Sequence, residues 1–383
     1  MKIVLSGVET NNKGAELMLY AILQEIERKY PKAEVYIPVF AVKQGLDYIH
    51  TNLIIKEKPF ASLIRLFHKL RIYSVCRKLH IPYHFFYDTR PIKNADYFID
   101  ASGFTFSDQW KFNSETVKIW EYLLRKYKEQ GTKIIFLPQA FGPISLPMTK
   151  KVIGILSQYA DLIMPREKVS LNYLLQENYV DKNKIKLFTD FTSLVKGIIP
   201  TQYKHLKKGV CIIPNLRMID KGIISLNDYL KLLSRIAKNI NEKGYTIYLL
   251  NHEGMGDERL AYKCKELLPF PIEVVSGLNA LEVKGLISTS YLCISSRFHG
   301  VASALNSAVP CLATSWSHKY AELFNDYGMT ECVLDLQNQE SCLNKINDFL
   351  SESKNSQIRQ ILKTQIPLIE KDTKKMWECV WNV

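Results

Sequence analysis

Short apolar runs alternate with longer amphipathic segments along most of this chain. Residues 2–7 (KIVLSG) read as a buried strand. Residues 16–30 read as a helix with Leu17, Tyr20, Ile22, Leu23 and Ile26 at helical spacing. Strand candidates rich in β-branched or aromatic residues follow at 33–40, 95–102, 132–139 and 160–166, with helical stretches at 115–130 and 148–159. The pattern restarts after residue 200. Strands are expected at 207–215, 245–252, 272–277, 290–296 and 309–316, and helices at 225–243, 257–267 and 299–307. Strand–helix–strand alternation predicts parallel sheets buried on both faces. At about 150 residues per domain, 383 residues suggest two domains. The expected fold class is α/β, with two Rossmann-like domains facing a cleft. The expected division is 1–200 and 201–383, with a linker at 195–208 containing Gly197, Pro200 and several lysines. The tail at 355–383 reads as a helix that packs back on the first domain.

No stretch approaches 18 consecutive apolar residues, so no membrane-spanning helix is expected. The four-residue apolar run at the N-terminus is too short for a signal-peptide core, which suggests a cytoplasmic protein. Eight cysteines include no CxxC pair, and several lie inside apolar runs, so buried reduced thiols are expected. Net charge is +13 and implies an anionic partner: a phosphorylated metabolite, anionic lipid or nucleic acid. Nucleic acid is disfavoured, because no RRM, KH or zinc signature is present. Residues 60–87 (FASLIRLFHKLRIYSVCRKLHIPYHFFY) break the alternation. There Arg65, Lys69, Arg71, Arg77 and Lys78 interleave with leucines, isoleucines and aromatics. Such a segment suits a membrane interface, making the protein peripheral on the inner face of the membrane; the alternative is a helical insertion packed on its own domain.

The sharpest candidate for chemistry is Ser295–Gly300 (SSRFHG), between a predicted strand and helix. Ligands of open α/β sheets bind at the carboxyl ends of strands, and a helix N-terminus offers free N–H groups to an anion. Arg297 adds a bidentate donor, and His299 a side chain that exchanges protons near neutral pH. A second candidate is Arg166 with Glu167 and Ser170 after another strand. Arg166 and Arg297 from opposite domains would clamp a small dianion. The first turn, with Asn11, Asn12, Lys13 and Gly14, is neither a GxGxxG fingerprint nor a P-loop. Gln139 and Asp190 also follow predicted strands, and Lys319 follows the last one. His252, Glu253 and Asp257 match no metal-binding spacing and read as a polar loop.

In this order, these residues resemble the polysaccharide pyruvyl transferase family, over roughly residues 1–335. SSRFHGVASALNSAVPCLATSWSHKYAELFNDYG carries the resemblance furthest. It is joined by Asn12, Gly14 and Glu16 (NKGAE), by Arg166, Glu167 and Ser170 (PREKVS), and by Gln139, Gly142 and Pro143 (LPQAFGP). The resemblance implies a GT-B-like two-domain fold. It also implies phosphoenolpyruvate as co-substrate, no further cofactor and no metal. The product would be a pyruvate ketal on a sugar of a capsule or exopolysaccharide, with a lipid-diphosphate-linked oligosaccharide as acceptor. Catalysis would fall to His299, Arg297 and Arg166. Phe298, Gly300 and Lys319 would line the donor side. Asn11, Asn12, Glu16, Gln139 and Asp190 would line the acceptor side, in the N-terminal half. A glycosyltransferase of the same fold using a nucleotide sugar is the competing reading.

Overall fold

The protein is described by a computed structural model that covers residues 1–72, 75–76, 90–314 and 319–383. It divides into two compact units. The first comprises Met1–Thr10, Met18–Phe191 and Lys374–Val383, and the second Asn11–Leu17 and Thr192–Thr373. The division falls between Phe191 and Thr192, a few residues before the expected linker.

The first unit holds a six-stranded parallel sheet of β1 (Lys2–Ser6), β2 (Glu34–Ile37), β3 (Ile54–Glu57), β4 (Tyr97–Asp100), β5 (Lys133–Gln139) and β6 (Leu162–Pro165), in the order β3-β2-β1-β4-β5-β6. Strands β4 and β6 are buried at every position, as a sheet covered on both faces requires. The helices are α1 (Lys13–Lys29), α2 (Ala61–Lys69), α3 (Ser114–Glu129), α4 (Pro147–Tyr159) and α5 (Lys168–Gln176). Helix α3 is capped by Asn113, whose Oδ1 accepts the Thr116 N–H at 2.8 Å, and it buries Val117, Leu123, Leu124 and Tyr127.

The second unit holds a five-stranded parallel sheet in the order β11-β10-β7-β8-β9. Its strands are β7 (Val210–Ile213), β8 (Ile247–Leu250), β9 (Glu273–Val275), β10 (Leu292–Ser295) and β11 (Cys311–Ala313). Around it lie α6 (Arg217–Asp220), α7 (Leu226–Glu242), α8 (Gly254–Glu266), α9 (Ala280–Ser288), α10 (Phe298–Asn306), α11 (Lys319–Asp326), α12 (Gln339–Leu350) and α13 (Glu352–Trp381). Cys211, Cys293 and Cys311 lie in adjacent strands with no exposed surface; burial pushes the Cys211 thiol up, and against the lowering bond with Cys211, the bond with Cys311 and then burial raise the Cys293 thiol. All eight cysteines are free.

Three elements differ from the pattern reading. Strand β3 was not anticipated, because edge residues such as Ile54 are exposed and carry no alternation. Helix α1 begins at Lys13 rather than residue 16, so the Asn-rich turn is shorter and Lys13–Glu16 is helical. Helix α13 is longer than the expected tail. Its last turns belong to the first unit, where the Trp381 indole N–H donates to Glu25 at 2.9 Å. Of the segment 60–87, residues 73, 74 and 77–87 lie outside the described residues, as do Trp316, Ser317 and His318.

Candidate active site

Strand β10 ends at Ser295, and α10 starts at Phe298 with Arg297 as its N-cap in an extended conformation. Two serines hold this turn. The Arg297 N–H donates to Ser295 Oγ at 3.0 Å, and that hydroxyl donates to the Arg297 carbonyl at 2.9 Å. The Ser296 carbonyl accepts from Asn215 Nδ2 and from the Tyr320 hydroxyl, both at 2.8 Å. Ser296 Oγ lies 2.6 Å from the Tyr229 hydroxyl and also bonds Thr314. Residue 300 is glycine because a Cβ there would strike Ser295 Oγ and Ile213. Phe298 is buried edge-to-face against Tyr320, and Lys319 Nζ lies 5.6 Å from its ring centre.

The Arg297 side chain runs to the start of α8. Its Nε lies 2.8 Å and its Nη2 2.6 Å from Asp257 Oδ2, while Nη1 pairs with Glu253. Asp257 Oδ1 also accepts the Leu216 N–H at 2.9 Å. The two acids stand at a helix N-terminus, where the backbone dipole favours negative charge. All three guanidinium nitrogens are thus engaged by the two carboxylates. Burial pushes the Asp257 carboxyl up to about 7, opposed by the Leu216 N–H, and the Arg297 guanidinium down to about 10, opposed by the nearby Tyr320.

The segment Asn11–Leu17 belongs to this same unit. Asn12 forms an antiparallel bridge with Glu253, and the Lys13 N–H donates to the His252 carbonyl at 3.3 Å. Asn12 Oδ1 accepts from the N–H groups of Gly14 and Ala15 at 2.9 and 3.4 Å, capping α1. Lys13 Nζ lies 2.6 Å from the fully buried Glu16. Position 14 must be glycine, because a Cβ would run into the His299 ring. His252 is 3% exposed, and its Nδ1 has no hydrogen-bond partner among the described residues. Burial first, then the charges of Arg297, His299 and Lys13, hold its imidazole well below the usual 6.5, so it is neutral.

A separate polar cluster occupies the strand ends of the first unit. The Arg166 N–H donates to the Gln139 carbonyl at 3.1 Å, and Arg166 Nε lies 3.3 Å from Glu167. Glu167 bonds Ser170, whose Oγ accepts the Phe141 N–H at 2.7 Å. Gln139 Nε2 donates to Asp100 at 3.1 Å, and burial raises the Asp100 carboxyl. Asp190 is also buried in this unit.

Arg297, Phe298, His299, Gly300 and Lys319 thus gather at one strand end. Asn12 and Glu16, expected to line the acceptor side, lie in the same unit with Asn11 on the same segment, and the Asn12–Glu253 bridge ties the first turn of α1 to the end of β8 and the start of α8. Arg166, Gln139 and Asp190 lie in the other unit. Pattern reading missed Asp100, and it took His252, Glu253 and Asp257 for a polar loop. The usable signal was their place directly after β8, at a strand's carboxyl end. Among the described residues, no group of three or more His, Cys, Asp or Glu side chains is placed to hold a metal ion.

Two parallel α/β units with charged strand ends define a GT-B-like protein. Solved structures of similar fold include a UDP-GlcNAc 2-epimerase from Neisseria meningitidis bound to UDP-GlcNAc, 12% identical over 100% of both chains with a TM-score of 0.59. The UDP-GlcNAc 2-epimerase of Methanocaldococcus jannaschii is 11% identical over 92% of this chain and 94% of its own, with a TM-score of 0.56. UGT2 of Phytolacca americana, complexed with UDP-2-fluoro-glucose and pterostilbene, is 9% identical over 100% and 99%, with a TM-score of 0.54. Residues 12–318 match the polysaccharide pyruvyl transferase family, and the chain belongs to it. No described helix is long and apolar enough to cross a membrane.

Proposed function

We propose that the protein transfers the pyruvyl group of phosphoenolpyruvate onto two hydroxyls of one sugar, forming a cyclic ketal in a cell-surface polysaccharide. The observation that carries this reading is the assembly of Arg297 and His299 with Lys13 and the neutral His252 in one unit. The Arg297 guanidinium and the N-terminus of α10 suit the carboxylate and phosphate of the donor. Reaction begins with a proton delivered to the methylene carbon. The adjacent carbon becomes oxocarbenium-like, and a sugar oxygen bonds to it as the hydroxyl releases its proton. Phosphate leaves with the electrons of its C–O bond. A second hydroxyl then closes the ring. His299 carries a proton in this sequence, either to the methylene carbon or from the attacking hydroxyl. Glu253 and Asp257 hold the Arg297 fork in place.

The test is incubation of the full chain with phosphoenolpyruvate and a panel of free and lipid-diphosphate-linked glycosides. A mass gain of one pyruvate less one water, with release of one phosphate, is the expected result. Thermal stabilisation by UDP or GDP and not by phosphoenolpyruvate would instead favour a nucleotide-sugar glycosyltransferase.

A further inference from the structure

Helix α2 carries its leucines on the wrong side for a helix of a globular domain. Ile64 is buried, Arg65 bonds Glu57 and the Val39 carbonyl, and the His68 ring packs 5.2 Å from that of Phe40. These residues define the face turned toward the rest of the unit. Leu63, Leu66 and Leu70, spaced three and four apart, form the opposite face and are 44%, 47% and 58% exposed. Phe60 before the helix and Val75 after it are exposed as well. An amphipathic helix normally turns such a stripe inward, so an outward stripe marks a surface that something else covers.

Charge identifies the occupant. From Lys58 to Tyr87 the chain contains no Asp or Glu, and the exposed Lys69 and Arg71 flank the stripe. A second copy of this face would set cation against cation. An anionic bilayer supplies hydrocarbon for the leucines and phosphate for the cations. We propose that the exposed face of α2 docks on an anionic membrane surface through Leu63, Leu66 and Leu70, with Lys69 and Arg71 at headgroup level. The proposal is independent of the transfer reaction, since it is read from lipid binding.

The full-length protein is floated with phosphatidylglycerol/phosphatidylcholine vesicles and with phosphatidylcholine vesicles alone. Binding to the anionic vesicles only, weakened by salt, is expected. The triple variant L63Q/L66Q/L70Q keeps good helix formers at exposed positions, and it should lose at least about tenfold in vesicle affinity with an unchanged melting temperature. The K69E/R71E variant should lose the preference for anionic lipid. Equal binding to both vesicle types overturns the proposal. So does unchanged binding by the triple variant, which would mark simple polyanion attraction. A concentration-dependent dimer that the triple variant abolishes, with no vesicle binding, assigns the face to a second copy and overturns it too.

Discussion

Two strand-to-helix turns in this protein share one backbone frame and differ in charge. In the first unit, β6 (LIMP) is followed by two residues and a nine-residue helix. In the second, β10 (LCIS) is followed by two residues and a nine-residue helix. The N-cap is Glu167 in one and Arg297 in the other. A carboxylate at a helix N-terminus is favoured by the backbone dipole, and Glu167 has Arg166 beside it and Ser170 one turn on. That turn balances its own charge. A cation at an N-cap is disfavoured, and Arg297 is held only because Glu253 and Asp257 reach it from another helix N-terminus. The difference teaches where ligand chemistry can reside. One turn carries its counter-charge in its own sequence, whereas the other imports its counter-charges and keeps a cation oriented at the strand end.

The largest expected effect tests whether the second turn is the chemical one. His299→Ala should lower kcat/KM for transfer by about 10²–10⁴-fold while leaving the thermal midpoint nearly unchanged. A fully active variant would remove the distinction between the turns. Next, Asp257→Ala leaves the buried Arg297 short of a partner and the Leu216 N–H unpaired, and should cost about 3 kcal/mol in denaturant unfolding. Glu167→Ala removes a negative charge from a helix N-terminus without losing a side-chain cap bond, and should cost about 1 kcal/mol. Equal losses would break the comparison. Arg297→Lys keeps the charge but loses the fork, and should raise the donor KM about tenfold.

His252 offers a subtler test. Its folded pKa is depressed below the unfolded 6.5, so the unfolded chain binds the extra proton first. The stability it contributes is present above pH 6.5 and is lost as pH falls, with a slope approaching about 1.4 kcal/mol per pH unit. His252→Gln should flatten the decline of unfolding free energy between pH 6.5 and 5. An unchanged slope would show that the imidazole is charged in the folded protein.

Much of the scaffold was legible from hydrophobic pattern. LIMP and LCIS are continuous apolar runs bounded by polar residues, and a strand buried on both faces needs nothing more. Arg297 and His299 were legible as chemistry, because they stand between such a run and a helix. Glu253 and Asp257 were not. On the page they are two acids in a polar stretch about 40 residues before Arg297, and only the pairing of β7 with both β8 and β10 brings their turn to the arginine. The unit to which Lys13 and Glu16 belong was hidden for a stronger reason. They lie in the first strand's connection by sequence, yet belong to the second unit by structure.

The amino-acid order alone determined the α/β class and the strand-end position of Arg297, because burial and turn chemistry act over a few neighbours. Which charges meet was decided by tertiary structure. Ion pairs such as Arg297–Asp257 join residues 40 apart, and Arg65 of α2 finds its partners, Glu57 and the Val39 carbonyl, outside its own helix. Coulombic and hydrogen-bonding partners depend on distance in space, and sheet order sets that distance.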